Sequence, residues 1–116
     1  MLAQRIRTYL CHAAAAGEPI TYQALASALE LAPPNTIHQL TVALEELIEE
    51  DAAAGQPLIA AMVISKARGG LPAVGFFDCA KRVGRFDDDP LGAQAAVFFK
   101  AEFASAISFW RMESSS

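Results

Sequence analysis

Two stretches decide the fold of this chain: Ile20–Ala26, which reads ITYQALA, and Pro33–Leu40, which reads PPNTIHQL. Thr21 is a good N-cap, because its hydroxyl can accept a hydrogen bond from a backbone N–H one turn into a helix. The two prolines end that short helix, and Asn35 or Thr36 caps a longer one. The pattern predicts two consecutive helices joined by a proline-marked break.

Apolar spacing extends this prediction along the chain. Apolar residues at three- and four-residue steps predict a first helix over Leu2–Ala16, with Gly17 as its stop. The helix that starts at Asn35 or Thr36 carries the cleanest amphipathic pattern and ends near Gly55. Its apolar arc consists of Ile37, Leu40, Leu44, Leu47 and Ile48.

The residues after this helix predict a small β-hairpin. Leu58–Ser65 is short, apolar and β-branched, which is typical of a buried strand. Lys66–Gly70 is a basic turn, and Leu71–Val74 returns as a second strand that Pro72 confines to a sheet edge.

Two helices complete the chain. The first covers Phe76–Val83, and the second runs from Pro90 to about Met112 with Asp89 as its N-cap. We therefore expect a single domain over residues 1–113, mainly α with a small β-hairpin (α+β). Residues 76–112 form its C-terminal helical extension, and residues 114–116 form a disordered tail.

Composition limits the function classes. With 116 residues, 53% of them hydrophobic, the chain can bury one core. No apolar run approaches the roughly 20 residues that span a bilayer, so no membrane association is expected. We do not expect the N-terminal stretch to act as a signal peptide. Because Cys11 and Cys79 also lie far apart in the sequence, we expect reduced thiols and a cytoplasmic protein.

Charge is unevenly distributed, although the net charge is only −4. Residues 18–55 carry seven acids and no Lys or Arg, whereas residues 56–86 carry five cations and one acid. Either the two segments neutralise each other or one of them faces a partner. Among the cations, Lys81, Arg82 and Arg85 either stabilise a helix end or join Lys66 and Arg68 in a basic patch for phosphate or acidic groups.

The order helix, extended entry, helix, helix and two-stranded wing resembles the winged-helix family over roughly residues 2–75. The resemblance implies DNA binding, with bases contacted by the N-terminal half of the third helix. The residues that it points to are Asn35, Thr36, His38, Gln39 and Val42, with Lys66 and Arg68 as wing residues near phosphates.

Acidic residues on the same helix oppose that interpretation. Glu45 and Glu49 share an outward stripe with His38, and Glu46 and Glu50 share the next one with Gln39. At an effective dielectric of about 20, two like charges ~8 Å apart repel by about 2 kcal/mol. DNA binding then requires that the helix enters the groove by its N-terminal tip alone.

Three segments fall in a similar order to the C-terminal domain of O6-alkylguanine alkyltransferases and their alkyltransferase-like relatives: Thr21–Ala26, Leu58–Ser65 and Gly69–Leu71. Those enzymes need a Pro-Cys-His-Arg stretch in which the Cys accepts the alkyl group. Here the comparable positions are Ala60, Ala61, Met62 and Val63. The resemblance therefore implies a shared fold without alkyl-transfer chemistry.

Other candidate chemistry is weak, so we expect no enzyme, no metal and no cofactor. Cys11 and His12 are adjacent, and on a helix their side chains diverge by about 100°. The cysteines and histidines match no zinc spacing. Asp87–Asp89 lacks the glycine and distal glutamate of a calcium loop, so helix capping explains it better.

The last helix carries aromatic residues over about half of its circumference, so it must pack against several elements or a second subunit. Glu102 lies inside that arc and is expected to pair, with one of the arginines as the candidate. Acids near the C-terminal end of the third helix are disfavoured by its dipole. Either they meet a basic surface, or the helix continues to Ala54 and the acids only solvate it. The candidate partner interface consists of Glu49, Glu50, Phe98, Phe99, Phe103 and Trp110.

The leading hypothesis is a non-enzymatic regulatory or nucleic-acid-associated binding module of winged-helix type. The alternative is a protein–protein interaction or homodimerisation module that binds no nucleic acid. The binding proposals built on this architecture require Leu58–Ser65 to be a strand of a hairpin.

Overall fold

The computed structural model describes the backbone of residues 2–114 and the side chains of residues 2–111. Over this range the chain is mainly α-helical with a two-stranded sheet, which confirms the predicted class. The helices are α1 (Leu2–Ala16), α2 (Tyr22–Ala28), α3 (Thr36–Ala53), α4 (Val74–Arg82) and α5 (Ala93–Ser114). The strands are β1 (Ile20–Thr21) and β2 (Val63–Ile64), and 3-10 turns cover Ile59–Met62 and Lys66–Arg68.

The helix–break–helix prediction is confirmed. Thr21 caps α2, and its hydroxyl accepts from the backbone N–H of Ala24 at 3.1 Å. Gly17 ends α1 with a φ of +74°, a conformation that glycine adopts without steric cost. Asn35 is the N-cap of α3 in the left-handed conformation, but its side chain makes no capping hydrogen bond.

The predicted hairpin is wrong. The first half of Leu58–Ser65 is the 3-10 turn Ile59–Met62, and β2 pairs in parallel with β1 rather than with Leu71–Val74. The register joins Ile20 to Val63 and Thr21 to Ile64. The two segments of the expected hairpin share one backbone hydrogen bond, which the N–H of Ser65 donates to the carbonyl of Leu71 at 2.8 Å.

The reason lies in how this segment is buried. Leu58–Val63 is completely or almost completely inaccessible to solvent, and it packs between α1, α3 and α5. Its first backbone N–H groups are satisfied by carboxylates, those of Glu102 and Asp51, instead of by a partner strand. Most of this apolar run is therefore buried without sheet pairing, which begins only at Val63.

The C-terminal helices differ from the prediction mainly at their starts. Helix α4 begins at Val74, and Gly84 follows its end at a φ of +81°. Helix α5 begins at Ala93 rather than at Pro90, because the Asp89 side chain caps a separate turn and accepts from the N–H of Leu91 at 2.9 Å. Ser114 ends α5, and the rest of the predicted tail lies outside the described residues.

The core has α3 and the Ile59–Met62 turn at its centre, with α5 lying along α1. A cluster of four phenylalanines joins α4 to α5, with neighbouring ring centroids 5.0 to 6.4 Å apart. The predicted C-terminal extension thus contributes to the same core as α1–α3. Across residues 2–114 we find no helix with the length and apolar character needed to cross a lipid bilayer.

Candidate binding cleft

A partly enclosed cleft of about 150 Å³ lies between α3 and the start of α4. A dry cavity of about this size, lined by aliphatic and aromatic residues, is large enough to bind benzene. Most of its wall is apolar, so it suits an aliphatic or aromatic group of that size. The lining residues are Tyr22, Thr41, Leu44, Glu45, Ile48, Ala60, Ala73, Gly75 and Phe76.

Helical spacing builds one wall of the cleft. Thr41, Leu44, Glu45 and Ile48 recur at three- and four-residue steps and therefore share one face of α3. The opposite parts of the wall come from Ala60 and from the first turn of α4. Most lining residues in this part of the wall are small, so the cleft remains open where larger side chains would have filled it.

The polar groups of the cleft are few and well defined. The Tyr22 hydroxyl accepts from the backbone N–H of Ala73 at 3.2 Å, and burial raises the pKa of Tyr22 above its ordinary value of 10.0. The hydroxyl therefore keeps its proton, which is donated to no described residue and remains available to a ligand. Thr41 donates its own proton to the carbonyl of Ile37 at 3.0 Å, so its oxygen can only accept.

Two glutamates of α3 form an acidic rim, which we define as Glu45 and Glu49. Glu45 lines the cleft, and Glu49 lies one helical turn further on. Nη2 of Arg82 is 3.5 Å from Oε1 of Glu45, but the two side chains are 56% and 39% exposed. Such a solvent-exposed pair contributes little to stability. Glu49 is exposed and forms no ion pair with a described side chain.

Behind the cleft, four side chains hold the backbone of residues 56–59; we call them the backbone clamp. Arg85 donates to the carbonyl of Gln56, and Trp110 Nε1 donates to that of Pro57 at 3.0 Å. The Leu58 N–H donates to Glu102 at 2.8 Å, and the Ile59 N–H donates to Asp51 at 3.0 Å. The members are Asp51, Arg85, Glu102 and Trp110. The clamp fixes the segment that leads into Ala60 in the cleft wall.

Asp51 is the most buried charged group of the clamp, with 1% of its surface exposed. Its Oδ1 lies 2.9 Å from Nη1 of Arg7, so the two side chains form a buried ion pair. The Arg7 guanidinium in turn lies 4.9 Å from the centroid of the Trp110 ring. Burial raises the pKa of Asp51 and outweighs the opposing effects of the Ile59 N–H and Arg7.

The residues predicted to contact nucleic acid are only partly available. Asn35, His38 and Val42 are exposed, and Thr36 is partly exposed. Gln39, however, donates from Nε2 to the carbonyls of Ala32 and Pro34 at 3.1 and 3.0 Å, so its amide organises the α2–α3 loop.

The two predicted wing cations differ. Lys66 is exposed. Arg68 donates to the carbonyls of Pro72 and Pro90 at 3.1 and 3.3 Å and lies 5.7 Å from the centroid of the Phe77 ring. The wing contacts proposed for Lys66 and Arg68 lose the hairpin that they required, because β2 pairs with β1 instead. Nucleic-acid binding by the start of α3 stays a prediction, with fewer free hydrogen-bond donors than the sequence suggested.

The remaining basic residues are similarly engaged. Arg82 contacts Glu45 and the Sγ of Cys79, and burial raises the pKa of the Cys79 thiol. Arg85 belongs to the clamp, and Lys81 is exposed. Among the described side chains, the ion pair that joins the acidic segment (residues 18–55) to the basic one (residues 56–86) is the exposed Arg82–Glu45 contact, while Arg68 and Arg85 are held by backbone carbonyls. A free basic patch is therefore reduced to Lys66 and Lys81, and the acids of α3 are not neutralised by the basic segment.

The predicted partner interface is partly covered by the fold: Trp110 is buried, three phenylalanines are half-buried and the two glutamates are exposed. Phe98 packs against the phenylalanines of α4, and Phe99 and Phe103 pack on each other with centroids 5.6 Å apart. Trp110 is 6% exposed, Glu50 pairs with Arg7 at 3.1 Å, and Glu49 interacts electrostatically with Arg82 without forming an ion pair. Glu102 pairs with Arg85 at 3.8 Å, which confirms the expected arginine partner.

Sequence reasoning missed both Asp51 and the cleft. Asp51 lies three and four residues after Ile48 and Leu47, on the apolar stripe of α3, and this position was the signal that it is buried. Tyr22 lies three residues before the buried Leu25, which placed its ring towards the core. The sequence carries no comparable signal for Ala60, Ala73 and Gly75. They contribute to the cleft because their side chains are too small to fill it.

Within the described side chains, no three His, Cys, Asp or Glu residues are grouped to hold a metal ion. Comparisons with known proteins give no match: no family model, no curated protein and no solved structure is significantly similar to this chain. The function must therefore be argued from the cleft and its surroundings.

Proposed function

We propose that this protein is a non-enzymatic protein-interaction module, and that the cleft between α3 and α4 receives an apolar side chain of the partner. The observation that carries the proposal is the half-open apolar cleft itself. A buried anchor in a preformed pocket is the usual centre of a protein interface. The proposal does not depend on a wing.

The surface around the cleft supports this function. Ile37 lies one turn before Thr41 on α3 and is 40% exposed, and Val74 lies between two lining residues and is 37% exposed. Exposed apolar side chains beside a pocket would be covered when a partner docks. The acidic rim beside the same cleft would repel the phosphates of a nucleic acid, which favours a protein as the partner.

The test uses N-acetylphenylalanine amide as a probe and the methyl NMR signals of Leu44 and Ile48 as reporters. We expect the probe to shift these signals in a saturable way and to leave the fully buried Leu10 unchanged, because Leu10 lies outside the cleft lining. N-acetylalanine amide, which lacks the ring, is expected to have little effect.

A filling variant provides the matched control. Ala73→Leu places a larger side chain in the cleft and is expected to abolish the shifts. Ala101→Leu makes the same change at an exposed position of α5 and should leave them intact. Shifts that persist in Ala73→Leu, or no saturable shifts in the unmodified protein, would overturn the proposal.

A further inference from the structure

We infer that the partner segment is basic: its apolar anchor is flanked by lysine or arginine residues that the acidic rim recognises. This inference rests on the proposed function, since it names the chemistry of the partner for the same cleft. Its occupant is a protein segment with cations one or two residues from the anchor.

The charge around the cleft carries the inference. Of the acids of α3, Glu50 and Asp51 are paired with Arg7, which leaves Glu45 and Glu49 beside the cleft. Glu45 borders the cleft and Glu49 lies about 6 Å further along α3, within reach of a lysine or arginine beside a bound anchor. The negative end of the α3 dipole lies near Glu49 and adds to the attraction for a cation.

Arg82 is the described cation that a basic partner would have to replace. Its contact with Glu45 is long, at 3.5 Å, and solvent-exposed. Exchanging this contact for one with the partner therefore costs little. Because Arg82 competes for Glu45, its removal is expected to strengthen binding of a basic segment, whereas removal of the rim carboxylates weakens it.

The experiment compares three synthetic pentapeptides, acetylated and amidated at their ends: Lys-Lys-Phe-Lys-Lys, Ser-Ser-Phe-Ser-Ser and Lys-Lys-Ala-Lys-Lys. Dissociation constants are measured by NMR titration on the Leu44 and Ile48 methyl signals. We expect the lysine–phenylalanine peptide to bind about fivefold more tightly than the serine peptide at low salt. The advantage should shrink as salt is raised, because exposed charges are screened.

Two variants with opposite expected effects on peptide binding make the test specific. Glu45→Gln/Glu49→Gln should remove the lysine advantage, and Arg82→Gln should increase it. Glu18→Gln/Asp87→Asn removes two exposed carboxylates that do not line the cleft and should leave it unchanged. A purely structural effect of the rim would not produce opposite changes in the rim and Arg82 variants.

The outcomes separate the two proposals. Equal binding of both phenylalanine peptides, with saturable shifts at the cleft, would overturn the basic partner and leave the proposed function standing. Binding of neither phenylalanine peptide would overturn the proposed function as well. Equal binding of the two lysine peptides, with alanine or phenylalanine at the centre, would show that charge alone attracts them. That result would overturn the apolar anchor and with it the proposed function. Self-association that Ala73→Leu abolishes, measured by light scattering, would identify a second copy as the occupant instead.

Discussion

Replacing Asp51 tests the backbone clamp most directly. Asp51→Ala leaves the buried N–H of Ile59 without an acceptor, which costs about 1–3 kcal/mol. It also removes the partner 2.9 Å from Arg7, and losing one member of a buried ion pair costs about 3–5 kcal/mol. Because Arg7 keeps Glu50 at 3.1 Å, we expect the low end of both ranges, a total loss of about 4 kcal/mol.

Asp51→Asn is the matched control, because its side-chain oxygen can still accept from Ile59. Because burial disfavours the charge of Asp51, the neutral asparagine should change the free energy of unfolding by less than about 1 kcal/mol, clearly less than the alanine variant. The assay is urea unfolding followed by the fluorescence of Trp110, with the slope checked for a constant two-state transition. Equal losses for the two variants, or a loss below about 1 kcal/mol for Asp51→Ala, would refute the clamp.

The pH dependence gives a second readout of the same carboxyl group. Its pKa is raised in the folded state, so between 3.8 and that raised value the folded protein binds more protons than the unfolded chain. Stability contributed by Asp51 therefore increases as the pH falls through this window, and it is lost as the pH rises. We expect the wild type to gain stability relative to Asp51→Asn on going from neutral pH towards 3.8; an opposite slope would contradict the burial argument.

Three further substitutions test single interactions by urea unfolding. Thr21→Ala should destabilise the protein by about 1 kcal/mol, because it removes the acceptor of the Ala24 N–H. Thr21→Ser keeps a hydroxyl acceptor and should retain most of the wild-type stability. Gly17→Ala should cost about 1 kcal/mol because φ is +74°, and no cost would contradict that conformation. Trp110→Phe should cost about 1 kcal/mol by leaving the Pro57 carbonyl unpaired, and an unchanged stability would remove Trp110 from the clamp.

The parts of the fold that depend on residues close together in the sequence could be predicted. The bounds of α1 follow from its apolar spacing and from Gly17, and the start of α2 follows from the Thr21 cap. The Leu58–Ser65 segment could not be predicted, because its conformation depends on groups far away in the chain. Glu102, which binds its first N–H, lies 44 residues away, and periodicity carries no information at that distance.

The same distinction explains the candidate sites. Lysine and arginine at positions 66, 68, 81, 82 and 85 indicated a basic segment, but their partners are set by tertiary contacts. Arg68 and Arg85 satisfy backbone carbonyls, a role that charge counting cannot distinguish from ligand binding. The pairing of Glu102 was predictable because an unpaired carboxylate inside an aromatic arc is too costly.

The clamp and the cleft meet at one short segment, and this arrangement bears on the proposed function. An unfilled volume of 150 Å³ corresponds to at most about 4 kcal/mol of forgone stability, an upper bound because the cleft opens to solvent. That amount is large beside the roughly 5–15 kcal/mol that stabilises a whole domain. A longer side chain at Ala60 or Ala73 would recover part of this stability.

The side chains of the clamp instead fix residues 56–59 from behind, so that the wall at Ala60 stays in place. A rigid wall beside an open apolar space lowers the entropic cost of binding an anchor, and this is the physical basis for treating the cleft as the binding site.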